Sequence, residues 1–178
     1  MNARRIADAL VLSAALAAVP AAALAADDGL PVPHHLAVAA GTDSAPVLLA
    51  ARRYAAFWNT GDERYAKMAL SPDFMDCTLP PGRPQGPAGP IAASAGFRGA
   101  VPDLRMDIED AVIAGDRISL RLRFRGHFTG HAGRVAGAGQ EIDFIAFDLY
   151  RVAVGVIMEN WHLEDNLTLQ QQLGLIPR

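Results

Sequence analysis

Glu159, Trp161, Leu163 and Asp165 recur at every second position near the end of the chain, so a straight strand puts all four on one face. If that face lines a pocket, Asp165 sits in an apolar setting beside an indole. Desolvation then raises its pKa, as a base that takes a proton from carbon next to a carbonyl requires. Asp165 also stands directly before the segment 166–173, where an Asp often caps a helix by accepting a backbone N–H. That alternative predicts a lowered pKa, so the two readings differ measurably. Arg151 shares parity with Phe147 and Leu149. A guanidinium does not pass protons near neutral pH, but it can steady an enolate oxygen or bind a carboxylate. A structural ion pair with Asp165 or Glu159 is the competing reading. Phe147, Trp161 and Glu159 are the accompanying candidates for substrate contact.

Other chemistry-bearing residues have less behind them. His127 and His131 lie four apart in a Gly-rich stretch where no helix aligns them, and no third metal ligand is evident. His34 and His35 read as an exposed linker pair. Cys77 is the only cysteine, which rules out an intrachain disulfide and any Cys-based zinc site. Nothing in the sequence lowers its pKa, so a packed thiol is expected. Arg121, Arg123 and Arg125 form a basic row on the polar side of a strand, read as a solvated or subunit-contact face.

The elements that must position these residues change period along the chain. Val47, Leu48, Ala51, Tyr54, Ala55 and Trp58 recur at three- and four-residue steps, which predicts a helix with one buried face. Gly61 ends it by taking the left-handed conformation. Asp62 caps a second helix over 63–69, and a short strand is expected over 73–79. The Pro- and Gly-rich stretch 80–90 reads as a loop, and 91–99 as a third, weakly patterned helix. Beyond Pro102 apolar and polar residues alternate: Leu104, Met106 and Ile108, then Ile118, Leu120, Leu122 and Phe124. Strands over 141–152 and 156–164 follow, and Leu167, Leu169 and Leu173 close the chain. Helices followed by antiparallel strands predict an α+β fold, a curled sheet packed on the N-terminal helices and enclosing one pocket.

The N-terminus reads separately. Arg4 and Arg5 precede an apolar run from Ala9 to Ala18, and Ala23-Leu24-Ala25 supplies the small residues of a cleavage site. Residues 1–25 are therefore expected to be a signal peptide, with an uncleaved anchor as the alternative. Pro20 interrupts the run, which falls short of the ~20 apolar residues a spanning helix needs, so no stable membrane insertion is expected after cleavage. Residues 26–44 read as a flexible mature N-terminus, and 45–178 as one domain. With 178 residues and a net charge of −3, the chain can bury a full core and has no general pull toward nucleic acid.

Several short motifs occur in a telling order. They are Phe57-Trp58-Asn59-Thr60-Gly61-Asp62, Ser71-Pro72-Asp73-Phe74-Met75-Asp76, Val101-Pro102-Asp103-Leu104 and Ala114-Gly115-Asp116-Arg117-Ile118. After Gly126 and Thr129-Gly130, the run Gly155-Val156-Ile157, Glu159, Trp161 and Asp165 leads to Gln172-Leu173-Gly174. Across 47–174 this order resembles the SnoaL-like polyketide and ester cyclases. The resemblance implies a nuclear transport factor 2-like cone, commonly a homodimer or higher homo-oligomer. It also implies intramolecular aldol chemistry that uses neither metal nor organic cofactor. Asp165 occupies the position of the cyclases' acid/base Asp, and Trp58 that of a substrate-contacting aromatic. Where the cyclases carry an assisting His, this chain has Arg151, which would lower the pKa of a neighbouring Asp165 and weaken it as a base.

Three classes of function therefore stand. The first is an exported enzyme that cyclises or isomerises a small hydrophobic carbonyl compound. The second is a binding module for a hydrophobic small molecule, with the same pocket and no chemistry. The third is a pure association domain, whose pocket would be filled by its own side chains.

Overall fold

A computed structural model describes the backbone of residues 16–18 and, in full, residues 29–177. Apart from Leu16–Ala18, the expected signal peptide lies outside the described residues. In chain order the elements are β1 (Leu16–Ala18), β2 (His35–Ala39), α1 (Ala45–Thr60), α2 (Glu63–Ala69), β3 (Leu70–Asp76) and α3 (Ala88–Ala100). Then come β4 (Arg105–Ala114), β5 (Arg117–Phe128), β6 (His131–Ala132), β7 (Val135–Ala136), β8 (Gln140–Ala153), β9 (Val156–Glu164) and α4 (Asn166–Gln172).

Seven strands form one curled, unclosed sheet in the order β1-β2-β4-β5-β8-β9-β3, with β6 and β7 as a separate small hairpin. The central ladder β4-β5-β8-β9 is antiparallel. The two flanking strands β2 and β3 pair in parallel with β4 and β9. The α+β expectation holds, and the helices cover the concave face. Phe57 of α1 is 1% exposed, a burial worth ~1.5–3 kcal/mol. Gly61 takes φ +71° at the end of α1 and donates its N–H to Phe57 O, and Asp62 caps α2 by accepting from Arg64 N at 2.9 Å.

Two irregularities decide which side chains face inward. A register shift between Ile108 and Asp110 lets Met106 and Ile108 point into the core, followed by Ala111 and Ile113. A second shift lies at Met158, because Arg151 pairs Glu159 whereas Val152 pairs Ile157. One extra residue in a strand reverses the facing of everything beyond it. Ile157 is therefore buried, and so are Asn160 and His162.

Within the segment expected to be flexible, the described residues 29–44 differ from expectation. Leu36 and Val38 are buried in β2, which hydrogen-bonds to β4. Arg52, itself buried in α1, donates to Leu30 O at 3.0 Å and to Pro31 O at 2.8 Å. Alternating apolar residues and a buried guanidinium thus tie this stretch to the domain. The strand expected over 73–79 begins three residues earlier, because Leu70 and Ser71 already extend along β9. Cys77 is only half-buried, just past the end of that strand.

Candidate functional site

Between the concave face of the sheet and helices α1, α3 and α4 lies a cavity of about 340 Å³. Its apolar wall is a set of packed rings. Phe124 and Phe144 stack at 5.1 Å, Trp58 meets Phe124 edge-on at 5.9 Å, and Phe97 leans on Phe144 at 5.9 Å. Tyr54 on α1 closes this side and also touches Tyr150, with ring centroids 5.7 Å apart.

The opposite wall is polar and comes from three strands. Asp76 ends β3, Asp148 lies in β8, and Asn160, His162 and Glu164 follow one another on β9. Asp148 and His162 are paired across the β8–β9 ladder. The imidazole is held at both ends: Nε2 lies 3.1 Å from Asp76 Oδ1, and Nδ1 lies 2.6 Å from Glu164 Oε1. These carboxylates approach the ring from its two nitrogens, so they diverge instead of converging on one ion. Asp148 accepts the Tyr150 hydroxyl at 2.8 Å and, more weakly, the Asn160 amide at 3.5 Å. The other amide atom of Asn160, Oδ1, is buried without a partner.

Burial and pairing set the charges. Asp148 is 8% exposed. Burial pushes its carboxyl up to about 6, although the Tyr150 hydrogen bond and the His162 charge pull the other way. Burial disfavours charge on His162, but the hydrogen bonds and charges of Glu164 and Asp76 prevail and raise it to about 9. Glu164 is likewise pushed up by burial, yet its bond to His162 keeps it below the ordinary range. Burial, reinforced by Asp148, raises the Tyr54 phenol far above its usual value. Near pH 7 the cavity therefore holds an imidazolium, a neutral phenol and, in Asp148, a largely ionised carboxylate that still binds a proton about one unit below that pH.

Only one of the residues singled out from the sequence lines this cavity, namely Trp58. Asp165 is instead the N-cap of α4: its Oδ1 accepts Thr168 N–H at 3.1 Å and its Oδ2 accepts the Thr168 hydroxyl at 2.7 Å. Those bonds lower its pKa, which matches the capping alternative and not the raised value expected of a base. Arg151 and Glu159 form a two-pronged pair, Nε–Oε2 at 2.8 Å and Nη2–Oε1 at 2.7 Å. They lie on the outer face of the sheet, away from Asp165. Trp161 lies on that face too, with the Arg117 guanidinium 5.4 Å above its ring, and Phe147 is 51% exposed there. On β9 the bulge at Met158 is the physical reason, because it reverses the parity that would have turned Glu159 and Trp161 inward. Arg151 and Phe147 face outward because the even positions of β8 are the buried ones.

The secondary candidates also find their places. His127 Nδ1 lies 2.7 Å from Asp103 Oδ2, and His131 begins the small β6–β7 hairpin. The arginine row is matched by acids on neighbouring strands: Arg121 with Glu109 and Asp110, Arg123 with Asp143, and Arg125 with Asp107. Asp76, Asp148, His162 and Glu164 were missed by sequence reasoning. One signal was available, because Asp148 shares parity with Ile142, Phe144 and Ala146, and an acid in an apolar row is conspicuous. The odd positions Ile145, Phe147 and Leu149 are equally apolar, which hid the inward face.

Comparison with known proteins agrees with this architecture. Residues 48–173 match the SnoaL-like polyketide cyclase family. The fold is similar to a candidate polyketide cyclase from Bacillus cereus ATCC 10987, with 39% identity over 84% of this chain and 96% of that one, at a TM-score of 0.76. TsrD from Streptomyces laurentii is 27% identical over 75% of this chain and 98% of that one, with a TM-score of 0.68. IdmH, a candidate polyketide cyclase from Streptomyces antibioticus, is 25% identical over 70% and 96%, with a TM-score of 0.63. No curated protein matches the chain. With the matched segment covering most of the domain and the cone in place, the chain belongs to the SnoaL-like polyketide cyclase family.

Proposed function

We propose that this protein performs cofactor-independent acid/base chemistry, an aldol cyclisation or an isomerisation, on a small hydrophobic carbonyl compound bound in the aromatic-walled cavity. The observation that carries this reading is Asp148: a buried carboxylate with a pKa near 6, facing that cavity beside His162. A base works best when its pKa lies close to the working pH. Asp148 would take the proton from carbon next to the substrate carbonyl. The Tyr54 phenol would donate to the enolate oxygen, and His162, with both nitrogens held by Asp76 and Glu164, would contribute only its positive charge. In an isomerisation the proton returns to a different carbon. In a cyclisation the enolate carbon attacks a second carbonyl of the same molecule, and the resulting alkoxide takes the proton back. Either way the proton and the electron pair stay within one molecule.

The test does not depend on the identity of the natural substrate. Hydrophobic ketones incubated with the protein in deuterium oxide should exchange hydrogen at the carbon beside the carbonyl, and Asp148→Asn should abolish that exchange. Exchange that survives the substitution would remove Asp148 from the role of base. A second reading is a binding module, favoured by the saturation of both His162 nitrogens by Asp76 and Glu164. Tight ketone binding with no exchange in the unsubstituted protein would select it.

We also propose export through residues 1–25, on the strength of Arg4-Arg5, the apolar run and Ala23-Leu24-Ala25. Cleavage after Ala25 would remove β1 and leave β2 at the sheet edge. Mass spectrometry of protein from the extracytoplasmic fraction should find Ala26 at the N-terminus, and an intact Met1 there would refute cleavage.

A further inference from the structure

Among the described residues, the cavity lining contains two cations, His162 and Arg83. Their situations are opposite. His162 is held between Asp76 and Glu164, and the third carboxylate, Asp148, is occupied by Tyr150 and Asn160. None of these three carboxylates is paired with Arg83 among the described residues. The Arg83 guanidinium has neither a hydrogen bond nor an ion pair among the described residues. It is still close enough to Glu164 and Tyr54 for its charge to favour their ionised forms.

The surrounding chain holds this arginine in place. The loop between β3 and α3 is fastened to the end of β3 by Gln85, whose side-chain amide accepts Asp76 N–H at 2.7 Å and donates to Asp76 O at 3.0 Å. Arg83 N–H closes a turn onto Pro80 O at 3.1 Å. Gly89, in the first turn of α3, has no room for a side chain: a Cβ there would lie 2.4 Å from Pro84 O and 3.5 Å from Cγ and Cδ of Arg83. The loop thus packs directly on the helix, with the stem of Arg83 against Gly89. A long cationic side chain is positioned at the cavity with no internal partner for its fork of donors.

We infer that Arg83 is the recognition point for an anionic group on the ligand, and that the cavity takes hydrophobic keto acids, with the carboxylate on Arg83 and the apolar part among Trp58, Phe97, Phe124 and Phe144. This deepens the proposed reaction by naming its substrate class, and it rests on the same cavity being the ligand site. A guanidinium matches a carboxylate with two parallel hydrogen bonds. The carboxylate would remain at the cavity lining, leaving the carbonyl portion to reach Asp148.

The experiment compares 3-benzoylpropionate and 4-benzoylbutyrate with their methyl esters, by isothermal titration calorimetry at neutral pH. The unsubstituted protein, Arg83→Gln and Arg83→Lys are titrated side by side, with thermal melts confirming that each variant folds. The acids should bind the unsubstituted protein about ten-fold more tightly than their esters, the usual size of a charge-assisted contact. In Arg83→Gln that ratio should fall to about one, and Arg83→Lys should keep part of it. The inference is overturned if the esters bind as well as the acids, if the preference survives Arg83→Gln, or if no acid binds. Deuterium exchange on the same compounds separates the two claims. Acid preference without exchange refutes the chemistry and leaves the anion site standing. Exchange of acid and ester alike, with no acid preference, does the reverse.

Discussion

Replacing Asp148 with Asn should stabilise the protein while destroying its proposed chemistry, and the stabilisation should depend on pH. In the folded chain burial holds the Asp148 carboxyl at about 6, against an ordinary value of 3.8. The folded state thus binds this proton more tightly than the unfolded state. Its contribution to stability is fully present below 3.8 and is lost as pH rises through about 6. The gap is about two pH units, worth about 3 kcal/mol at about 1.4 kcal/mol per unit. Asn keeps the shape and an oxygen to accept the Tyr150 hydroxyl but never ionises. Asp148→Asn should therefore be near-neutral at pH 4 and more stable than the unsubstituted protein by about 2–3 kcal/mol at pH 8. His162 does not confuse the comparison, because its value of about 9 keeps it protonated across most of that range. Urea unfolding of both proteins at the two pH values measures the difference directly, and the midpoint at pH 8 should move while the slope does not. A substitution that costs the same at both pH values would refute the argument, since Asp148 would then ionise in the folded state as easily as in water. Stabilisation joined to loss of exchange is the trade expected of a residue kept for function.

Two further perturbations test other parts of the structure. Asp165→Ala should lower the melting temperature by removing the α4 cap; because the pKa of Asp165 is lowered in the folded state, the deficit should shrink as pH falls below its ordinary value. Deuterium exchange should persist in that variant, and its loss would return Asp165 to the chemistry. Val154, fully exposed in the β8–β9 turn, holds φ +52°, a left-handed conformation that costs a β-branched residue ~1–2 kcal/mol. Val154→Asn makes an Asn-Gly pair with Gly155, the pair such turns favour, and should raise stability by about 1 kcal/mol. An unchanged urea midpoint would show that the turn carries no such strain.

The class of fold and most of its punctuation were legible from local residue patterns alone. The three- and four-residue spacing from Val47 to Trp58 made α1, Gly61 and Asp62 closed one helix and opened the next, and the alternation from Ile118 to Phe124 made β5. These features rest on local geometry, which a sequence states openly. The family-typical motifs added the cone, and Trp58 lines its cavity. β2 escaped notice because a short strand among Pro and Gly residues is recognised only by the β4 edge it pairs with.

The catalytic candidates were decided by tertiary structure, for a specific reason. Both faces of β8 are apolar, so parity could not say whether Phe147 or Asp148 points inward. On β9 the odd positions Glu159, Trp161 and Leu163 read as continuous with buried Ile157, and they would have been in a regular strand. The extra residue at Met158 reversed them, sending Glu159 and Trp161 to the outer face and Asn160, His162 and Glu164 into the cavity, while Arg151 faces outward through the unbroken alternation of β8. A bulge is a property of two strands in register, and one strand read alone does not reveal it. The same holds for charge: the pKa values of Asp148 and His162 come from groups on β3, β8 and β9 that meet only when the sheet has curled.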